Sequence, residues 1–452
     1  MKKTLGAVLG SLALVLAVSF AFNHWVMPLF DSILGKKENP KTYSQTNCLT
    51  DQITAEMDMY DIAISYRDGQ AAVGVLVSGK NTVKNQMDSF HGSGVCVASK
   101  GYVTEDGYTA SKGSYIATNY HVVSTFYENE YKDVTVRIRT EEEKDYSCSV
   151  LWADRTLDLA IIYCDGVNLN YVTMKDKIIF PEEGEKFDYE PIFTIGCPLD
   201  MDEYLNRMTT GNIGTNDTLE MYTTETVYPF TSNGSISYYN SGYTGGYEVL
   251  STMYEDVVDI TAGISKGNSG GGCFDENGYL IGLNTLGTSE SLTAGNQMNG
   301  IVPIYPIMQI LDRVIWNYET DETDKAIYSF ENLGLYGIDA FEAAEANDVL
   351  LSINGSSYYY LNGKFYVNLT YALGFSYTGS GYYVLSSDGT TEFNKLARGN
   401  IITSCTDADG KVHTIENRND FIYFMLGLER GDSVSVTIKT SGGATSTKTI
   451  QL

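Results

Sequence analysis

The sequence has few basic residues and no closely spaced pair of cysteines. Its 452 residues include 57 acidic but only 30 basic side chains, which gives a formal net charge of −27. This excess of carboxylates repels phosphate backbones and argues against sequence-independent binding of nucleic acid. Charged residues make up 19% of the chain and hydrophobic residues 43%, so extensive disorder is excluded. The length predicts two or three folded units.

The absence of a Cys-x-x-Cys pair argues against a structural zinc site, and no metal or cofactor is predicted. An odd total of seven cysteines leaves at least one free thiol or an intermolecular bond if the chain lies outside the cytoplasm. Cys148 and Cys164 lie on two β-rich runs, 148–152 and 159–164, that predict a hairpin. In register the two cysteines would face each other, so a disulfide between them is one of the pairings left open.

The N-terminus predicts a membrane segment. Lys2 and Lys3 precede eighteen uncharged residues from Leu5 to Phe22, which as a helix would rise about 27 Å, close to the hydrocarbon thickness of a bilayer. We therefore expect a cytoplasmic tip and a transmembrane signal anchor over residues 1–34, in a single-pass protein of the cell membrane with the remaining chain extracytoplasmic. The alternative is a cleaved signal peptide, although the cleavage pattern is poor.

Composition shifts divide the remaining chain. Residues 35–69 are polar and predict a stalk or linker. Residues 70–318 contain short β-rich runs broken by turn residues, which indicates an all-β barrel or sandwich, closed by an apolar helix over 304–316. Within it, 211–259 lacks periodicity and predicts a long surface loop. An acidic linker or extra β-rich segment covers 319–365, and strands with one or two helices over 366–452 indicate a small separate domain.

Three short motifs place a histidine, an aspartate and a serine in that order along the chain: Thr118-Asn119-Tyr120-His121-Val122, Asp158-Leu159-Ala160 and Gly267-Asn268-Ser269-Gly270-Gly271. A serine nucleophile needs a base, a carboxylate that orients the base, and backbone N–H groups aimed at the developing oxyanion. Each residue alone has a plainer explanation, because a serine beside glycines is usually a turn residue. Their joint occurrence in suitable contexts favours catalysis.

With their neighbours, these motifs resemble chymotrypsin-like serine proteases, and most closely the HtrA (Deg) branch. The resemblance rests on the segments 92–94, 116–123, 154–162, 194–198, 263–271 and 281–285. It implies an all-β fold of two perpendicular barrels with the active site between them, in a serine endopeptidase of the chymotrypsin type.

The resemblance also implies roles for individual residues. His121 would be the general base, Asp158 its orienting partner and Ser269 the nucleophile, with the N–H groups of Gly267 and Ser269 as the oxyanion hole. The implied substrate-binding residues are the edge-strand residues Thr285, Leu286 and Gly287 and the pocket-wall residues Gly263, Ile264 and Lys266. Asn268 stands where digestive relatives have the aspartate of the zymogen ion pair, so control by loop ordering is expected instead of N-terminal cleavage.

The last part of the chain resembles a PDZ domain, an α+β module that binds an extended C-terminus by strand addition. Leu373, Gly374 and Phe375 resemble its carboxylate-binding loop, and 396–402 and 428–440 resemble its later strands. The alternative is a β-rich spacer without a ligand.

These expectations combine into a membrane-anchored protease for unfolded or misfolded proteins, regulated by peptide C-termini at the PDZ-like domain. The resemblance further implies a homotrimer. Two alternatives stay open, namely a catalytically silent scaffold or chaperone that binds exposed C-termini, and a processing enzyme for one dedicated substrate.

Overall fold

The structure is a computed structural model that describes residues 47–126, 131–155, 157–175, 190–198, 205–214, 219–227, 247–287, 299–320, 335–339, 349–353, 356–361, 364–367, 380–387, 392–397, 399–429, 431–440 and 443–452. Strands dominate these residues, as the sequence predicts.

Six strands form a closed barrel in the order β1-β2-β3-β6-β5-β4. They are β1 (Ala72–Asn81), β2 (Gln86–Ser99), β3 (Ser114–Thr118), β4 (Tyr131–Arg139), β5 (Asp145–Asp154) and β6 (Leu159–Cys164). Val73, Val75 and Val77 alternate along β1 and are fully buried, because successive side chains of a strand point to opposite faces. One face of β1 therefore lines the barrel core. A single helical turn, α2 (Tyr120–Val123), follows β3, and α1 precedes the barrel at Met59–Asp68.

A second sheet of seven strands has the order β8-β7-β11-β12-β13-β10-β9. Its strands are β7 (Pro191–Gly196), β8 (Arg207–Asn212), β9 (Leu219–Val227), β10 (Tyr247–Ile260), β11 (Gly272–Asp275), β12 (Leu280–Gly287) and β13 (Asn299–Pro303). The sheet curls until its β8 and β10 ends meet, where Ile213 forms a bridge with Ile260 and Gly214 N donates to Asp259 O at 2.6 Å. The stretch predicted as a surface loop, 211–259, instead contains β9 and most of β10, which pair with each other.

Residues 47–69 were expected in a linker, yet they belong to the folded body. One face of α1 carries Ile62, Ala63 and Tyr66, all buried in the main hydrophobic cluster. The Tyr66 ring lies 5.1 Å from the ring of Phe274, centroid to centroid, and its hydroxyl donates to the carbonyl of Gly278. The polar composition of the segment predicted solvent exposure, but one narrow apolar face is sufficient to dock a short helix.

The predicted helix over 304–316 is α3 (Tyr305–Thr320), with its apolar stripe buried. Its carboxylates bind the segment between β2 and β3. Asp312 accepts hydrogen bonds from the Tyr102 hydroxyl at 3.1 Å and from Glu105 N at 2.7 Å. Glu319 accepts from Ser111 N at 2.7 Å and from the hydroxyls of Ser111, Tyr108 and Tyr115. The helix that follows the second sheet is thereby hydrogen-bonded to the first barrel.

The C-terminal part is a sheet with the path β14-β18-β19-β21-β22, with β20 paired to β19, and a small sheet β15-β16-β17. The strands are β14 (Leu335–Asp339), β15 (Val349–Ile353), β16 (Ser356–Leu361), β17 (Lys364–Val367), β18 (Tyr382–Ser387), β19 (Ile401–Thr406), β20 (Val412–Thr414), β21 (Ser433–Lys439) and β22 (Thr445–Gln451). Helix α4 (Arg418–Leu426) begins with a capping box between Asn417 and Asp420.

This sheet begins earlier in the chain than the expected boundary at residue 366. Strand β14, within the segment expected as a linker or an extra β-rich segment, pairs with β18, and Leu335 lies opposite Ser387. A five-residue strand cannot be assigned a partner so far along the chain from its own pattern. The predicted carboxylate loop, Leu373, Gly374 and Phe375, lies outside the described residues.

From residue 47 onward, none of the described helices is both long and apolar enough to cross a membrane. The anchor predicted over residues 1–34 lies outside the described residues.

Cys148 and Cys164 form a disulfide and are directly opposite each other on β5 and β6, as the hairpin register predicts. The remaining five cysteines are free thiols, and all are buried. Burial raises the pKa of the Cys96 thiol to about 12 and that of the Cys197 thiol to about 11. These thiols stay protonated at neutral pH and are poor nucleophiles.

Candidate active site

His121 lies in the first turn of α2, directly after the fully buried strand β3. Its Nδ1 is 2.8 Å from Oδ2 and 3.0 Å from Oδ1 of Asp158, and its backbone N–H donates to the same Oδ1 at 2.9 Å. A carboxylate accepts only, so the neutral imidazole carries its proton on Nδ1 and presents a lone pair at Nε2. The imidazole is thus held in the tautomer of a general base.

Asp158 is fully buried in the turn between β5 and β6 and has a positive φ of 50°. Aspartate tolerates this left-handed conformation better than most side chains. The side chain of Asn119 donates to the Asp158 carbonyl at 2.8 Å and ties the turn to the start of α2. The geometry therefore brings together two residues that are 37 positions apart in the sequence.

Thr285 has a contact that the sequence did not predict. Its hydroxyl donates to Asp158 Oδ2 at 2.8 Å, and the residue is 5% exposed. This hydroxyl adds a further hydrogen bond to the buried carboxylate, which helps to fix the orientation of the carboxylate toward His121. The sequence carries no signal for the contact, because Thr285 and Asp158 are 127 positions apart on different barrels.

The segment 261–271, between β10 and β11, carries the serine. Gly267 has a φ of 98° and Gly270 a φ of 83°, values that favour glycine. A turn is closed by Asn268 N donating to Ser265 O and Gly271 N donating to Asn268 O, each at 2.9 Å. Gly270 N then donates to Asn284 O at 2.9 Å, which fastens the segment to β12. The glycines of the motif are therefore required by the path of the backbone.

Ser269 is partly buried, and its Oγ lies 3.4 Å from the carbonyl oxygen of Thr285. Among the described residues, no acceptor receives the backbone N–H of either Gly267 or Ser269. Two N–H groups two residues apart in such a turn can converge on one oxygen. They are suited to an oxyanion hole.

Gly92 lies where the segment of His121 and the segment of Ser269 approach each other. A β-carbon on Gly92 would lie 2.7 Å from a methyl of Val122 and 3.0 Å from the carbonyl oxygen of Ser269. Only a residue without a side chain fits in that gap. The close approach explains the glycine on β2 and places the segment of His121 beside the segment of Ser269.

The predicted substrate-binding residues belong to strand β12 of the second sheet and to the segment between β10 and β11. Thr285, Leu286 and Gly287 form the end of β12. In the described ladder, the pairing of β12 with β11 ends at Leu283, whereas its pairing with β13 continues to Gly287. In the part of the chain that the structure describes, the β11 ladder does not extend along this end, a geometry that suits strand addition. Gly263 and Lys266 are exposed, and Ile264 is 4% exposed.

A separate cavity of about 790 Å³ lies between α3 and the C-terminal sheet. Its lining includes Tyr305, Gln309, His413, Tyr423 and several aspartates. The aspartates Asp407, Asp420 and Asp432 accept hydrogen bonds from nearby backbone N–H groups. Those carboxylates serve local turns and the helix start.

Comparison with known proteins agrees with the motifs. Residues 92–283 match the trypsin-like peptidase domain family. The serine protease Do-like HtrB of Bacillus subtilis (strain 168) is 25% identical over 273 residues, which cover 54% of this chain and 51% of the relative. Protease Do-like 1, chloroplastic, of Arabidopsis thaliana is 26% identical over 212 residues, or 46% of this chain and 38% of the relative.

Among solved structures, the HtrA-type protease AlgW with a decapeptide superimposes with a TM-score of 0.48 at 18% identity, over 86% of this chain and 96% of the other. The chain matches about half the length of the Bacillus relative and less of the Arabidopsis one.

Proposed function

We propose that the chain is a serine endopeptidase that acts through His121, Asp158 and Ser269, on the premise that residues 92–283 match the trypsin-like peptidase domain family. The observation that carries the proposal is the pair of hydrogen bonds from His121 to Asp158, at 2.8 Å from Nδ1 and 2.9 Å from the backbone N–H. They fix the imidazole in the tautomer that a base needs.

In the proposed mechanism, Nε2 of His121 takes the proton of Ser269 Oγ as this oxygen attacks the scissile carbonyl carbon. The carbonyl oxygen becomes an oxyanion and accepts hydrogen bonds from the N–H groups of Gly267 and Ser269, an effect of about 3–4 kcal/mol for each donor. The imidazolium, stabilised by Asp158, returns its proton to the leaving amine. Water, deprotonated by His121, then hydrolyses the acyl-enzyme and regenerates the serine.

Substrate is proposed to bind as a strand along the end of β12 at Thr285–Gly287. An unfolded or misfolded protein offers an extended segment readily, whereas a folded protein does not. Ile264 is buried and Gly263 carries no side chain, so the proposed pocket wall offers no carboxylate for a basic side chain. We therefore propose cleavage after small or medium apolar residues of unfolded proteins.

The remaining parts of the proposal concern location and control. Residues 1–34 would anchor the protease as a single-pass protein facing the extracytoplasmic side, and the C-terminal sheet would bind exposed peptide C-termini and regulate the protease. We also propose a homotrimer. The anchor is supported by the uncharged run from Leu5 to Phe22, and the other two points are supported by sequence resemblance. Cell fractionation, titration with C-terminal peptides and light scattering of the purified protein test the three points in turn.

The test of the central proposal is labelling of the full-length chain with a fluorophosphonate probe, which reacts with an activated serine. We expect labelling of the wild-type protein and of Ser265→Ala, an exposed serine of the same segment, but none of Ser269→Ala. Absence of labelling in the wild-type protein, with and without added C-terminal peptides, would favour the silent scaffold. Degradation of casein would separate general proteolysis from cleavage of one dedicated substrate.

A further inference from the structure

Ser93 on β2 is the residue that joins the two sides of the cleft. It is 1% exposed, and its Oγ donates to the carbonyl of Gly267 at 2.8 Å while accepting the N–H of Cys197 at 2.8 Å. The first bond reaches the segment 261–271, which we call the oxyanion loop. The second reaches the residue after strand β7. One hydroxyl of the first barrel thus bonds two separate segments of the second.

The backbone of Ser93 makes two further bonds at the same place. Its N–H donates to the carbonyl of Ser269 at 2.7 Å, and its carbonyl accepts the hydroxyl of Thr118 at 2.7 Å. Thr118 ends β3, three residues before His121. Ser93 is therefore bonded on one side to the segment of the predicted base and on the other to the two residues whose N–H groups would bind the oxyanion.

These bonds act on the peptide planes that follow Gly267 and Ser269. A peptide group is planar, so a hydrogen bond that holds its carbonyl also holds the orientation of the whole unit. Ser93 Oγ holds the 267–268 peptide and Ser93 N holds the 269–270 peptide. These two held peptides flank the 268–269 peptide, which carries the N–H of Ser269. The first of them also limits rotation at Gly267, whose φ of 98° is one where a glycine backbone rotates easily.

We propose that Ser93 is a positioning residue that fixes the oxyanion loop through its Oγ bond to the Gly267 carbonyl. This inference rests on the proposed function. The hydroxyl does not touch substrate; it acts through Gly267. Its loss should lower the rate of the chemical step, in which the oxyanion forms, and leave ground-state binding unchanged.

The chain offers a matched control in Ser114. This serine is also fully buried, and its Oγ likewise donates to a carbonyl, that of Val167 at 2.9 Å, and accepts an N–H, that of Leu169 at 2.9 Å. Ser114 begins β3, at the end of the strand opposite Thr118, and its partners lie in the segment that follows β6. Ser114→Ala removes the same pair of hydrogen bonds without altering the oxyanion loop.

The experiment measures inactivation of full-length wild-type, Ser93→Ala and Ser114→Ala proteins by a fluorophosphonate, separating the maximal rate kinact from the binding constant KI. Removal of a whole oxyanion donor costs about 10²–10³ in rate, and a loosened donor should cost less, so we expect kinact of Ser93→Ala to fall about 10- to 100-fold with KI unchanged. The pH at which kinact is half-maximal should not move, because the bonds between His121 and Asp158 are intact. Ser114→Ala should lower the melting temperature by about as much as Ser93→Ala does, but it should keep the wild-type kinact.

The outcomes separate this inference from the proposed function. If the wild-type protein does not react, the proposed function fails and this inference fails with it. If the wild-type protein reacts and Ser93→Ala keeps the kinact of Ser114→Ala, only the inference is overturned. Should Ser93→Ala not fold, Ser93→Cys keeps a side chain of similar size with a weaker donor; a lower kinact at unchanged KI then supports the inference, and a wild-type kinact overturns it.

Discussion

The two walls of the cleft are held by different kinds of bond. The histidine wall (residues 118–123 and 158) depends on side chains, because the buried carboxylate of Asp158 accepts from the backbone and ring of His121 and from Thr285. The serine wall (residues 263–271) depends mostly on the backbone, through positive φ angles at Gly267 and Gly270 and a series of hydrogen bonds to its carbonyls, to which the Ser93 hydroxyl adds a side-chain donor. A base needs a charged partner, whereas an oxyanion hole needs N–H groups that nothing else occupies. Each wall therefore uses the kind of bond that its proposed task requires.

The largest expected effect comes from breaking the histidine wall with Asp158→Asn. The amide can present an N–H to His121 and stabilise the wrong tautomer, so kcat/KM on a peptide substrate should fall about 10⁴-fold. The serine wall should be intact, and a peptide aldehyde measured by inhibition should lose far less affinity than the substrate loses rate. Equal losses in both measurements would contradict the division into two walls.

The serine wall is broken by Gly270→Ala. A β-carbon there would lie 2.2 Å from the carbonyl oxygen of Ser93, at a φ of 83° that L-residues rarely adopt. We expect a loss of about 3 kcal/mol in the free energy of unfolding together with loss of probe labelling. Urea denaturation measures the first effect. The matched control is Gly166→Ala, with a φ of 71° and no atom within 4 Å, which should cost only about 1 kcal/mol and keep labelling.

A smaller effect is expected for Thr285→Val, which removes the hydroxyl bonded to Asp158 and keeps the shape of the side chain. Loss of a hydrogen bond to a charged group costs about 1.5–3 kcal/mol, so kcat should fall roughly 10- to 100-fold. Thr285→Ser retains the hydroxyl and should recover most of the activity. An unchanged kcat in the valine variant would mean that the hydrogen bond from Thr285 to Asp158 does not contribute to catalysis.

The smallest effect lies outside both walls, at Glu319. Burial raises the pKa of this carboxyl, but hydrogen bonds from Ser111, Tyr108 and Tyr115 outweigh it and hold the pKa below its usual value. A carboxylate whose pKa is lowered by folding stabilises the fold above its unfolded pKa, near pH 4.5, and loses that contribution as the pH falls through its folded value. Glu319→Gln should therefore lower the melting temperature at pH 7, and its difference from the wild-type protein should shrink as the pH falls below 4.5.

Two controls check this assignment, and a change in either one would contradict it. The exposed Glu276→Gln should leave the melting temperature unchanged at every pH measured. Probe labelling of Glu319→Gln should equal that of the wild-type protein, because the hydrogen-bond partners of Glu319 lie outside both walls.

The local patterns predicted much of the fold. Strand β3 (Ser114–Thr118) lies among the short β-rich runs predicted within 70–318, α3 follows its apolar stripe, and the Cys148–Cys164 disulfide agrees with the hairpin register. Each of these features depends on neighbours in the chain or on a simple repeat. The docking of α1 and the pairing of β14 with β18 depend on distant partners, which a local pattern does not contain.

The sequence by itself determined which groups are available for chemistry, because His121, Asp158 and Ser269 sit in motifs whose glycines and apolar neighbours already imply a turn or a strand. Only the tertiary structure decided how those groups are held. The hydroxyl of Thr285 on Asp158 and that of Ser93 on the Gly267 carbonyl join residues 127 and 174 positions apart. Such contacts arise when two barrels close on each other, and their energy depends on distances that no residue's own neighbours encode.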